Sequence, residues 1–220
     1  MNTQENFILD EIDPDLSERI DMGKRSLFSR YAMPAIALTS APLVLAAAST
    51  EAFAAGGLPQ KVVDVLNFAL TLEYLEAAFY KMGNEASGLI PSEYKSLFKT
   101  IGKHETAHVA LLKGALGSAA VEAPAVDFTA GGKYADVFAN FKTFATLSAT
   151  FEDLGVEAYK GQGGNLAGTA VLTTALQIHS VEARHASAVR PLIGKAGYIS
   201  AFDKPLSKAK VLAAAKPFLA

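Results

Sequence analysis

Glu105-Thr106-Ala107-His108 and Glu182-Ala183-Arg184-His185 are the two stretches on which the fold turns. Each sets a carboxylate and an imidazole three residues apart. On a helix such residues share a face, with Cβ atoms about 5–6 Å apart, so each pair can grip one metal ion. The stretches continue alike: a basic residue follows each glutamate at +8 (Lys113, Arg190) and a glycine at +12 (Gly117, Gly194). Residues 55–220 hold nine glutamates. Chance would place two Glu-x-x-His pairs among the four histidines in roughly 1–2% of such sequences.

Upstream of each pair stands a lone glutamate, Glu73 before the first and Glu152 before the second, each followed seven residues later by a tyrosine, Tyr80 or Tyr159. The step from Glu73 to Glu105 is 32 residues and from Glu152 to Glu182 it is 30. The chain therefore reads as two similar halves. Facing each other, they would bring four glutamates and two histidines to one level about a pseudo-twofold axis.

Apolar periodicity and terminal signals predict four long helices carrying these residues. They run from about Pro59 to Met82, Pro91 to Leu116, Tyr134 to Lys160 and Leu166 to Ile193, with Asn165 as N-cap of the last. Each is read as ending at a glycine: Gly83, Gly117, Gly161 and Gly194. Proline near a start and glycine past an end is the usual asymmetry of helix termini. Pro191 falls in the last turn of the fourth, where it kinks or ends a helix. A short fifth helix is expected from about Ser207 to Lys216.

The links decide the topology. About eight residues join the first two helices and about four the last two, lengths that make antiparallel neighbours. Between the second and third lies an Ala-, Gly- and Pro-rich link of about 16 residues, which extended reaches roughly 50 Å. A 25-residue helix is roughly 38 Å long, so the link can run the length of the bundle. The fold class is all-α: a ferritin-like four-helix bundle with one long crossover between helices 2 and 3, plus a short C-terminal helix.

Composition agrees. Half the residues are apolar, 19% are charged and the net charge is −2, which suits a buried core. The lysines are scattered, so nucleic acid is not an expected partner. There is no cysteine, which excludes disulfides and thiolate metal sites and leaves oxygen and imidazole as ligands.

Residues 1–54 read as a signal sequence. Lys24-Arg25-Ser26-Leu27-Phe28 precedes an alanine-rich apolar stretch from Tyr31 to Thr50, and Ala52-Phe53-Ala54 supplies a small-x-small cleavage signal. The order resembles a twin-arginine (Tat-like) signal with Lys24 in place of the first arginine. The expectation is export to a periplasmic or extracellular location, leaving residues 55–220 as the folded domain. A membrane association is expected only if the segment stays uncleaved.

Four ionised carboxylates in a core would repel one another and lose solvation, at several kcal/mol each. Two divalent ions neutralise them. One Glu from each of two helices and one Glu-x-x-His from each of the others is the ligand set of carboxylate di-metal bundles, so Glu73, Glu105, His108, Glu152, Glu182 and His185 are the expected metal ligands. Oxygen-rich donors with two imidazoles suit iron, or manganese, better than copper(I) or structural zinc.

Leu72-Glu73-Tyr74-Leu75-Glu76-Ala77-Ala78-Phe79-Tyr80, the Glu105/His108 pair, Glu152-x-x-Gly155-Val156-x-Ala158-Tyr159 and Val181-Glu182-Ala183-Arg184-His185 resemble the exported ferritin-like domain proteins related to plant desiccation-related proteins. The resemblance spans about Leu58 to the C-terminus. It implies a di-iron-type site on the six residues above.

Other side chains are read beside these. Glu76 and His179 sit one turn from expected ligands and are candidates for extra ligation or for hydrogen bonds to ligands. Tyr80 and Tyr159 are candidates for proton or radical transfer, or core tyrosines with a satisfied hydroxyl. His104, Asp153 and Glu157 point off the ligand face and are expected at the surface. The leading functional expectation is a di-iron protein that binds Fe(II) and reacts with dioxygen or peroxide, as a ferroxidase or peroxide-consuming oxidoreductase, in oxidative or desiccation stress or in iron handling. The alternatives are a dimanganese catalase-like enzyme and a non-catalytic envelope stress protein with a structural metal. A homo-oligomer is compatible with the sequence.

Overall fold

A computed structural model describes residues 57–220; the signal-like segment lies outside the described residues. Five α-helices and no strands occur among the described residues: α1 Gln60–Glu85, α2 Lys95–Leu116, α3 Phe141–Gln162, α4 Val171–Val189 and α5 Lys208–Ala215. None of them is long and apolar enough to cross a membrane.

The first four helices form the bundle. α1 packs most extensively on α2, and α3 on α4. Two apolar clusters mark its ends. At one end Phe79 and Tyr80 of α1 meet Phe98 of α2 and Phe144 of α3. At the other Val62 and Leu66 of α1 meet Leu112 and Leu116 of α2, Tyr159 of α3 and Val171 of α4. The end of α2 and the start of α3 thus lie at opposite ends, and the connection between them travels the bundle's length. This is the expected crossover, and it is longer than expected.

The reason lies in residues 134–140. Apolar spacing there suggests helix, but the segment is turns, tied by Tyr134 N–H to Thr129 O at 2.8 Å and Asn140 N–H to Asp136 O at 2.8 Å. α3 begins only after Asn140, whose side chain accepts from the N–H groups of Lys142 and Thr143; such a cap satisfies donors that have no partner inside the helix. The crossover is then held along its path. Asn67 of α1 accepts from Val121 N–H at 2.9 Å and donates to Ala119 O at 2.8 Å. Farther on, the C-terminus pairs with it: Asp127 N–H to Phe218 O at 3.0 Å and Ala220 N–H to Ala125 O at 2.9 Å.

Two of the four glycines do not end helices. Gly117 and Gly194 adopt positive φ, +55° and +75°, just past α2 and the 3₁₀ turn Arg190–Ile193 that follows α4, as expected of terminators. Gly83 and Gly161 lie inside α1 and α3. A Cβ on Gly83 would run into the Phe144 ring, and one on Gly161 into the carbonyl oxygen of Leu206. Both are sites of close approach. At Gly161 the strand-like approach to α5 crosses α3, with Leu206 N–H bonded to Glu157 O at 3.1 Å. Asn165 is likewise not an N-cap: it sits in the 3₁₀ turn Gly163–Asn165 and donates to Gln162, while α4 starts at Val171. α5 falls as predicted, capped by Ser207.

Candidate metal centre

Glu73 on α1, Glu105 and His108 on α2, Glu152 on α3 and Glu182 and His185 on α4 are brought together midway along the bundle, all buried. They form two overlapping groups of possible metal donors: Glu73, Glu105, His108 and Glu182 in one, and Glu105, Glu152, Glu182 and His185 in the other. Within each group one donor atom per residue lies within 4.8 Å of the rest. Glu105 and Glu182 belong to both.

The histidines face inward through Nδ1. His108 Nδ1 is 3.1 Å from Glu73 Oε2, 3.1 Å from Glu105 Oε2 and 3.0 Å from Glu182 Oε1. His185 Nδ1 is 2.9 Å from Glu105 Oε1 and 3.2 Å from Glu152 Oε2. Several of these atoms are close without hydrogen-bond alignment: Glu105 Oε1, Glu152 Oε2, both oxygens of Glu182 and His185 Nδ1 have no hydrogen-bond partner. Buried carboxylate oxygens left without donors are costly, and a cation at their focus would satisfy them all. The donor set therefore fits a pair of metal ions sharing Glu105 and Glu182.

The two tyrosines cross between halves. Tyr159 of α3 donates to Glu73 Oε1 of α1 at 2.6 Å, and Tyr80 of α1 donates to Glu152 Oε1 of α3. The sequence repeat at +7 is thus a reciprocal pair of hydrogen bonds. Each leaves one oxygen of its glutamate turned toward the histidines. Burial and the adjoining carboxylate charge hold both phenols well above their usual pKa.

The metal-free centre is a set of competing charges. Burial and the Glu182 charge raise Glu105 to about 7, and burial with the Glu73 charge raises Glu182 to about 8. Burial also raises Glu152. Burial acts against ionised Glu73 too, but the His108 charge and hydrogen bonds from His108 and Tyr159 outweigh it and hold its pKa down. Burial disfavours charge on His185, yet the carboxylates of Glu105 and Glu152 close to its Nδ1 raise it to about 10. His108 is raised further, by Glu73 above all, against its own burial. Without metal, protons would thus do part of the neutralising.

Glu76 is buried but belongs to neither donor group. Burial and the charges of the surrounding glutamates, Glu182 first, push its pKa well up. It faces Gly155, where an added Cβ would lie 3.0 Å from Glu182 Oε2 and 3.3 Å from Glu76 Oε1. Gly155 occupies in the second half the position three after Glu152 that Glu76 occupies three after Glu73. One half supplies the extra carboxylate and the other the space for it.

His179 is not part of the cluster. It is half-buried near Lys160 and Asp203, with burial and the Lys160 charge lowering its pKa. His104 is exposed, as expected, but it is not idle: its Nδ1 stands 2.9 Å from His185 Nε2 and the two rings stack at 5.2 Å. Facing away from its own helix's ligands, it lies along the seam with α4, a contact that helical periodicity of α2 alone does not reveal. Asp153 differs from the expected solvated residue: Arg190 holds it through Nε at 2.8 Å and Nη2 at 2.5 Å, while Nη1 donates to Gly197 O at 2.7 Å.

A helical bundle with one long crossover and a buried, doubled carboxylate–histidine cluster defines a class of protein. The family model of the ferritin-like domain matches residues 61–195, and the chain belongs to that family. No curated protein matches it.

Proposed function

We propose that the chain is a carboxylate-bridged di-iron protein that binds Fe(II) and reacts it with a small oxidant. The observation that carries this reading is the pair of four-donor groups sharing Glu105 and Glu182. Glu73 and His108 would hold one ion, Glu152 and His185 the other, and the two shared glutamates would bridge. When bound, such ions supply redox equivalents and open positions for an oxidant. The chain's own residues prepare the site. Tyr159 and Tyr80 fix the outer oxygens of the terminal glutamates, and His104 orients His185 through its second nitrogen, as partners of metal-bound histidines do. Glu105, Glu182 and both histidines give up protons as the ions arrive.

Fe(II) loading of chelator-free protein, with metal counted per chain, tests the reading. Two ions per chain are expected, and Glu105→Ala/His108→Ala should abolish uptake. Less than about one ion per chain, or undiminished uptake in the double variant, would sink it. Oxygen and imidazole donors also suit manganese; peroxide disproportionation that tracks manganese content would move the assignment to a catalase-like centre. Export is part of the proposal, supported by Lys24-Arg25, the apolar stretch and Ala52-Phe53-Ala54. A mature N-terminus at Ala55 in the exported fraction is the expected result, and retention of the intact chain in the cytoplasm is the contrary one.

A further inference from the structure

The two ends of the bundle are built differently. Beyond the cluster on one side, the interior is filled by rings. Phe79 stacks on Phe144 at 4.8 Å and meets Phe151, Phe128 and Tyr80 edge-on at 5.0, 5.2 and 5.4 Å. Phe98 closes on Phe144 at 5.0 Å. Interlocked aromatic rings leave little room for a guest.

The other end has mostly small and aliphatic side chains and a cavity of about 20 Å³. A single water needs roughly 10–15 Å³, so the space is of the size of one very small molecule. Leu66, Ala69, Leu112, Tyr159, Leu166 and Ala175 are among the residues around it, and its wall presents carbon alone. Of the lining residues that carry polar groups, Tyr159 places its hydroxyl on Glu73 and Gln162 accepts from Asn165 at 2.9 Å through Oε1, and neither these two nor Thr174 presents a polar atom to the cavity. A buried water requires two to four polar partners, whereas apolar cavities of this kind stay dry and accept apolar guests. The cavity also abuts the centre. Tyr159 belongs to its wall and touches Glu73, and Ala69 lies one helical turn before Glu73.

We propose that this cavity is a holding site for dioxygen, placed between the bundle end and the metal centre. This rests on the di-iron reading and sharpens it, because the cavity's chemistry selects the oxidant. Dioxygen is apolar and small enough to enter. Hydrogen peroxide would lose its hydrogen bonds to water and find no replacement on a carbon wall. The oxidant supplied from this end is therefore the gas, and the ring-packed end supplies none.

Xenon, an apolar guest that needs no metal and no chemistry, is the probe. Crystals of the metal-free protein pressurised with xenon should show it among Leu66, Ala69, Leu112 and Ala175. Ordered water in the cavity, or xenon bound only elsewhere, overturns the proposal. Ala175→Leu and Ala69→Leu, made separately in case one misfolds, should displace the xenon and leave Fe(II) stoichiometry unchanged. They should slow oxidation of bound Fe(II) by dioxygen severalfold while leaving oxidation by hydrogen peroxide as it was. Both rates falling together, or neither changing, also overturns it. Failure to take up Fe(II) would refute the di-iron reading instead, and the xenon density would still decide the cavity.

Discussion

His104 Nδ1 and His185 Nε2 lie 2.9 Å apart, so an exposed imidazole holds the outer nitrogen of a buried one whose inner nitrogen faces Glu105 and Glu152. A metal at His185 Nδ1 would put the proton on Nε2, and His104 Nδ1 would then accept it.

Removing that acceptor should weaken the ion on the His185 side and spare the other. His104→Ala is expected to lower metal affinity about 10–100-fold at one of two sites, the usual cost of losing a partner of a metal-bound histidine. Titration calorimetry that resolves two binding events checks this; equal weakening of both would contradict it.

The crossed tyrosines offer a matched test. Tyr159→Phe leaves Glu73 Oε1, and Tyr80→Phe leaves Glu152 Oε1, without its donor. Each should destabilise the metal-free protein by about 1–3 kcal/mol, the cost of a buried acceptor left unsatisfied. Chemical denaturation of both single variants and the double would show it. The near twofold symmetry predicts similar losses for the two singles.

Metal-free stability should fall as pH rises. Glu105 and Glu182 have folded pKa values of about 7 and about 8 against 4.5 ordinarily, and His185 about 10 against 6.5. In every case the folded state binds protons more tightly than the unfolded one. The contribution is complete below the unfolded pKa and is lost as pH passes the folded one. Melting temperature of the metal-free protein should therefore decline from about pH 5 to pH 9. Metal affinity should rise over the same range, because the ions displace those protons. A metal-free melting curve that climbs with pH would contradict the charge balance described for the centre.

Gly161→Ala separates close approach from helix propensity. Alanine in a helix interior is worth about 1 kcal/mol over glycine, so a solvent-facing Gly161 would make the variant more stable. The Leu206 carbonyl stands where the Cβ would go, and the expected outcome is a loss of about 1–3 kcal/mol, as for overpacking elsewhere. Thermal denaturation gives the sign.

Much of this architecture could be read from spacing. Glu-x-x-His on two helices and Glu with Tyr at +7 on the other two place six donors and two phenols on inward faces, and the structure brings all eight side chains together. Periodicity cannot separate helix from turns rich in apolar residues, as residues 134–140 show: the carbonyls of Thr129 and Asp136 take up the N–H groups of Tyr134 and Asn140 there. Nor does a glycine announce whether it ends a helix or makes way for a neighbour. Gly83 and Gly161 do the latter, and what they accommodate, Phe144 and Leu206, is distant in sequence. His104 escaped for the same reason, since its partner is on another helix.

The reciprocal bonds between Tyr80 and Glu152 and between Tyr159 and Glu73 have a consequence for assembly. Neither hairpin carries a finished half of the centre, since each lends its phenol to the other's acid and both contribute a glutamate common to the two donor groups. A chain interrupted in the crossover would therefore yield two fragments that are poor metal binders apart. Their docking would be the event that creates the site, and metal would select the joined form. The ions, on this account, report that the two halves have met.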